Sequence, residues 1–98
     1  MNMTNKFTVN EKEYKAKAFD FNMVCDLEDL GVSMADAGKK PMGMVRAYFA
    51  VCADVPMDIA GKEIEAHIIK GGKLDDVMTA MSKEMEKSDF FRSLTKNA

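Results

Sequence analysis

Apolar and polar positions change period once, early in the chain, and the change predicts its architecture. In "KFTVNEKEYKAKA" Phe7 and Val9 alternate with Lys6 and Thr8, and Tyr14, Ala16 and Ala18 alternate with Lys15 and Lys17. A two-residue period is that of half-buried strands, so residues 6–18 are expected to form a β-hairpin. The polar connection Asn10–Glu13 lacks the Asn-Gly pair of a tight type I′ turn, which predicts a longer loop built on a type I turn. A hairpin alone is marginal in water, so its Phe7/Val9/Tyr14 face must lie on helices.

From Asp20 onward the period is helical. Asp20 is placed to cap a helix carrying Phe21, Val24, Leu27 and Leu30, with Met23 and Cys25 beside the stripe. Gly31 falls where a left-handed residue closes a helix, with Val32 folding back on the last turn. "SMADAG" reads as a helical turn or two stopped by Gly38, and Pro41 suits a helix's first position. "PMGMVRAYFAVCADVP" is the most apolar segment, with Met44, Val45, Tyr48, Phe49, Val51 and Cys52, so this helix is expected at the centre; Pro56 ends it. The next helix is expected to start on Asp58 as cap, to pack an Ile64/Ile68 stripe and to stop at Gly71-Gly72. The last long helix carries Leu74, Val77, Met78, Met81 and Met85 on one face. Asp75 and Asp76 sit near its positive end and Lys83 and Lys87 toward the other. Ser88 restarts a short turn, "SDFFRSL".

The predicted fold is α+β and mainly α: an N-terminal hairpin packed on a bundle of four to five helices. One domain spans 6–94, hairpin 6–18 and helices 20–94, between flexible ends at 1–5 and 95–98. Ninety-eight residues suit one modest core.

Composition narrows the function. Apolar residues at 47% and charged residues at 31% are those of a folded chain, and the net charge of −2 comes from interleaved signs. No basic stripe is present to track phosphates, so nucleic acid is not an expected partner. No apolar run has signal-peptide or membrane-spanning length, so a cytoplasmic location is expected, with no membrane partner. Cys25 and Cys52 lie among apolar neighbours and read as buried reduced thiols.

No constellation suggests catalysis, and the chain is expected not to be an enzyme. His67, the sole histidine, has Glu63 one turn before it; two ligands are too few for a metal, and an exposed, hydrogen-bonded His is expected. Asp26, Glu28 and Asp29 point in different directions on a helix and read as a solvated acidic face. Cys25 has no basic neighbour to make it a nucleophile. "KGGK" lacks P-loop spacing. No cofactor or metal is expected.

Binding remains. The chain has ten Met and four Leu, the reverse of ordinary usage. Methionine adapts to irregular and varied surfaces. A Met stripe at helical spacing is more often core than docking surface. Phe90 and Phe91, adjacent on a helix, cannot both face one core, so one is expected to reach a neighbouring subunit or client. The candidate partner-binding set is Met78, Met81, Met85, Phe90 and Phe91.

The order of elements, with "AFDFNMVCDLEDLGVSM", "MVRAYFAVCAD" and the terminal "LDDVMTAMSKEMEKSDFFRSL", resembles the small tail assembly chaperones of long-tailed bacteriophages and prophages. Asp20-Phe21-Asn22 matches that family's helix entry, and Leu27-Glu28-Asp29 its Leu-Glu-Glu-like helix. The resemblance covers nearly the whole chain through motifs of low specificity. It implies a protein that binds the tape measure protein, keeps it soluble, helps recruit tail tube subunits, self-associates, and acts in the host cytoplasm without entering the virion. It also implies a longer frameshifted form that contacts the tail tube protein; Thr95-Lys96-Asn97 can be encoded by a slippery A-AAA-AAC run. The rival readings are a structural tail protein retained in the virion and a small helical DNA-binding regulator.

Overall fold

A computed structural model describes residues 5–36 and 38–96. The hairpin pairs β1 (Lys6–Val9) with β2 (Lys12–Lys15), antiparallel, with Phe7 opposite Tyr14 and Val9 opposite Lys12. Only Asn10 and Glu11 connect them, at φ of 51° and 69°. Two central residues at positive φ make a type I′ turn, so the longer loop expected from the sequence is not formed. The turn lacks Gly but is held from outside. The Asn10 N–H donates to His67 Nδ1 (2.9 Å), and Lys70 Nζ reaches Asn10 Oδ1 (2.9 Å) and Glu11 Oε2 (3.3 Å). Asn5 is likewise fastened: its Nδ2 donates to Ala80 O and Glu84 Oε2.

The inner face of the hairpin lies on helices, as its isolation requires. Phe7 and Val9 are buried, and the Phe7 and Tyr14 rings both meet Phe49 edge-on, at 6.0 and 5.0 Å between centroids. Phe49 belongs to α2 (Pro41–Ala53), which buries Met44, Val45, Ala47, Tyr48, Phe49 and Ala50 and so runs through the middle of the molecule. Full burial of one such aromatic contributes about 1.5–3 kcal/mol.

In α1 (Phe21–Asp29) Asp20 caps the first turn, accepting from the Met23 N–H at 2.8 Å. The buried residues are Met23, Val24 and Leu27, and Phe21 is 62% exposed, so the expected inward stripe does not begin at Phe21. Phe19, two residues before the helix, fills the core instead, stacked on Tyr48. Gly31 closes α1 at φ 89°, with Gly31 N–H to Glu28 O and Val32 N–H to Leu27 O, the paired bonds of a Schellman motif. Met34–Asp36 then form a single 3₁₀ turn.

In α3 (Met57–Ile69) Pro56 occupies the cap position, and Asp58 sits within the first turn. Ala60 and His67 are buried and Ile64 half-buried, whereas Ile68 is 46% exposed. The inward column is thus 60/64/67, one step round the helix from the expected 64/68. Gly71 and Gly72 end the helix as predicted, with Gly71 at φ 98°. α4 (Asp75–Lys87) lies against β1 and buries Val77, Ala80, Met81 and Glu84. α5 (Asp89–Lys96) continues as helix through Thr95 and Lys96, assigned above to a flexible end; Asn97 lies outside the described residues. The architecture is α+β and mainly α, among the described residues one hairpin on five helices.

Candidate functional site

The start of α5 is set by Ser88. Its hydroxyl donates to Phe19 O and accepts from the Phe91 N–H at 3.0 Å, so one side chain both caps the helix and fastens it to the core. Capping fixes the rotation of α5, and the two phenylalanines separate. Phe91 meets Phe19 edge-on, 5.5 Å between centroids; Phe90 meets Phe21 edge-on at 5.7 Å. Both rings are half-buried against the core; Phe91 adds to its central aromatic pair, and Phe90 reaches toward the exposed Phe21. Leu94, one turn beyond Phe90, is 42% exposed. Phe21, Phe90 and Leu94 form an apolar strip where α1 meets α5.

The methionines divide differently from their stripe. Met81 is buried in the core, and Met78 and Met85 are half-buried against it. The side chain that joins Met81 on the inner face of α4 is Glu84, 5% exposed, whose Oε2 accepts from Asn5 Nδ2 (3.0 Å) and pairs with Lys87 Nζ (3.1 Å). Of the five candidate residues, Met81 is buried in the core and Met78, Met85, Phe90 and Phe91 are half-buried against it, Phe90 with its ring also on Phe21. Phe21 was missed because its three-residue spacing to Val24 and Leu27 imitates a core stripe. Other exposed apolar side chains lie on α2 and α3: Met42, Ile59, Ile68 and Ile69.

His67 is buried, contrary to the exposed position expected for it. Its Nδ1 accepts the Asn10 N–H, so in the neutral ring the hydrogen sits on Nε2 and is donated to Asp76 Oδ2 at 2.9 Å. Glu63 accepts from Asn10 Nδ2 (3.1 Å), and a Cβ at Gly72 would run into the imidazole. Both ring nitrogens are consumed by structure, and neither is free for a metal or a proton-transfer step.

Cys25 and Cys52 are free thiols and only half-buried. Burial pushes the Cys52 thiol up from its ordinary value, which keeps it protonated and unreactive. Its sulfur accepts from the Lys17 N–H (3.4 Å), and Tyr48 Oη donates to Lys17 O (2.6 Å). Desolvation also raises the Tyr48 phenol strongly. Among the described residues no group of three or more His, Cys, Asp or Glu is arranged to hold a metal. An open groove of about 770 Å³ runs beside Lys15–Ala18, floored by Met23, Val51 and Glu84 and rimmed by Lys and Asp of both signs. Among the described residues no helix is long and apolar enough to cross a membrane. No family model, curated protein or solved structure matches the chain.

Proposed function

We propose that this chain is a non-catalytic binding protein of the tail assembly chaperone kind, which holds apolar helical segments of a tape measure protein in solution while a phage tail is built. The observation that carries the reading is the edge-on pair Phe21–Phe90, in which Phe21 is 62% exposed and Leu94, one turn beyond Phe90, is exposed beside it. A helix presenting apolar residues at i, i+3 and i+4 can lay that face along such a strip. Half-buried Met85 and Met78 lie on the helix before Ser88 and supply adjustable side chains near the folded core. Order of elements and the Asp20-Phe21-Asn22 entry support the same reading through the resemblance given above. Recruitment of tail tube subunits, a longer frameshifted form, action in the host cytoplasm and absence from the virion follow within it.

Co-expression with a tape measure protein tests the proposal. Wild-type chain should bring the client into the soluble fraction; Phe21→Ser should lose most of that effect while shifting urea stability little, and Phe90→Ser should weaken it more than it lowers stability. Met81→Ala should instead cost about 2–5 kcal/mol of stability through the cavity it leaves. Equal losses of stability and client solubility in the Phe90 and Phe21 variants would assign the strip to the core and reject the site. Recovery of the chain from purified virions would reject the chaperone role in favour of a structural tail protein.

A further inference from the structure

The two-stranded sheet has two outer edges, and they differ. Across the hairpin Val9 and Lys12 face each other over a two-residue turn, which makes 9/12 and 7/14 the hydrogen-bonded pairs; Ala16 N–H to Asn5 O (2.9 Å) continues the same ladder. The backbone N–H and C=O groups of Glu13 and Lys15 therefore point away from β1. Among the described residues they have no partner, and both side chains are exposed. β1 is flanked by α3 and α4, whereas α2 lies beneath β2. The open edge ends abruptly at Lys17, whose N–H and C=O are taken by Cys52 and Tyr48.

We propose that this edge is a self-association surface, in which β2 pairs antiparallel with β2 of a second copy about a two-fold axis at Tyr14. The occupant is named by register and charge. Antiparallel bonding requires outward-pointing residues to face one another, which leaves three symmetric registers. Centring on Glu13 opposes two carboxylates, and centring on Lys15 opposes two ammonium groups and needs the occupied backbone of Lys17. Centring on Tyr14 sets Glu13 against Lys15 of the second copy, twice, with four main-chain hydrogen bonds. That register alone is complementary, and opposite-charge cross-strand pairs favour it while like pairs disfavour the others. On the inner face it brings together the two half-exposed Tyr14 rings as a non-hydrogen-bonded pair, the closer kind. Glu13 is already within 3.5 Å of Lys6, but both side chains are more than half exposed, so the carboxylate is free to share its partner. The join is isologous and closes on itself, giving a dimer with a four-stranded sheet.

This surface is separate from the Phe21–Phe90 strip, and its test uses the purified chain without client, so the two readings fail independently. Sedimentation velocity over a range of concentrations should show a monomer–dimer equilibrium that weakens with salt. Glu13→Lys, and separately Lys15→Glu, should weaken dimerisation at least about tenfold by opposing like charges. The double exchange Glu13→Lys/Lys15→Glu should restore it to near the wild-type constant, because each cross-strand pair again joins opposite charges, with their order reversed. Unchanged circular dichroism and melting in all three variants shows that the exposed positions leave the fold intact. A strictly monomeric wild type, open-ended oligomers in place of a dimer, indifference to the single exchanges, or failure of the double exchange to rescue would each overturn the proposal.

Discussion

Glu11 is the residue least suited to its place. A φ of 69° costs a residue with a Cβ about 1–2 kcal/mol, and here the turn is held from outside chiefly at Asn10, by His67 and Lys70. Glu11→Gly gives the favoured Asn-Gly type I′ turn. The variant should gain about 0.5–1 kcal/mol in urea unfolding, since the exposed Lys70 pair it removes is worth little. The turn was misread because its type was inferred from the two residues in it, while its supports stand 57 to 60 residues away. The same distance hid His67: nothing local to "AHIIKGG" announces that Asn10 and Asp76 converge on the ring. Asp20, Gly31 and Gly71 were legible because cap chemistry is settled within four residues of the helix end.

At the level of elements, helix existence and ends followed from the sequence better than helix rotation did. In α1 and α4 the expected Val24/Leu27 and Val77/Met81 are buried, but in each of α1, α3 and α4 a residue outside the simple apolar stripe also takes a core place: Phe19 ahead of α1, His67 in α3, Glu84 in α4. The last two are polar and enter the core only with partners in hand, Asn10 and Asp76 for one, Asn5 and Lys87 for the other. The adjacent Phe90 and Phe91 do not divide into one inward and one outward ring: both are half-buried against the core, with Ser88 fixing α5 so that one meets Phe21 and the other Phe19. That hydroxyl makes a direct test. Ser88→Ala removes the cap and the bond to Phe19 O, and should cost about 1–2 kcal/mol. Amide exchange should accelerate chiefly in α5, because Phe91 remains the helix's main hold on the core.

For the molecule as a whole, stability should fall on the alkaline side. Tyr48 and Cys52 are both raised in the fold, chiefly by burial, relative to ordinary values of 10.0 and 9.0. A group whose proton is held more tightly in the folded state contributes fully below its unfolded value. The contribution then shrinks as pH climbs toward the folded one. Urea midpoints should thus be flat across neutrality with respect to these two groups and decline from about pH 9 upward. Cys52→Ala should remove the earlier part of the decline and leave the Tyr48 part; a wild-type curve that stays level to about pH 11 would contradict their burial.

The imidazole of His67 has a consequence for motion. One ring holds the tip of the hairpin by Nδ1 and the first turn of α4 by Nε2, while its own backbone carbonyl receives the Gly72 N–H that closes α3. Three distant pieces of chain therefore share a single hinge pin. Opening any one of them exposes polar atoms in the other two, so the hairpin tip should breathe in step with the α3–α4 corner rather than fray alone.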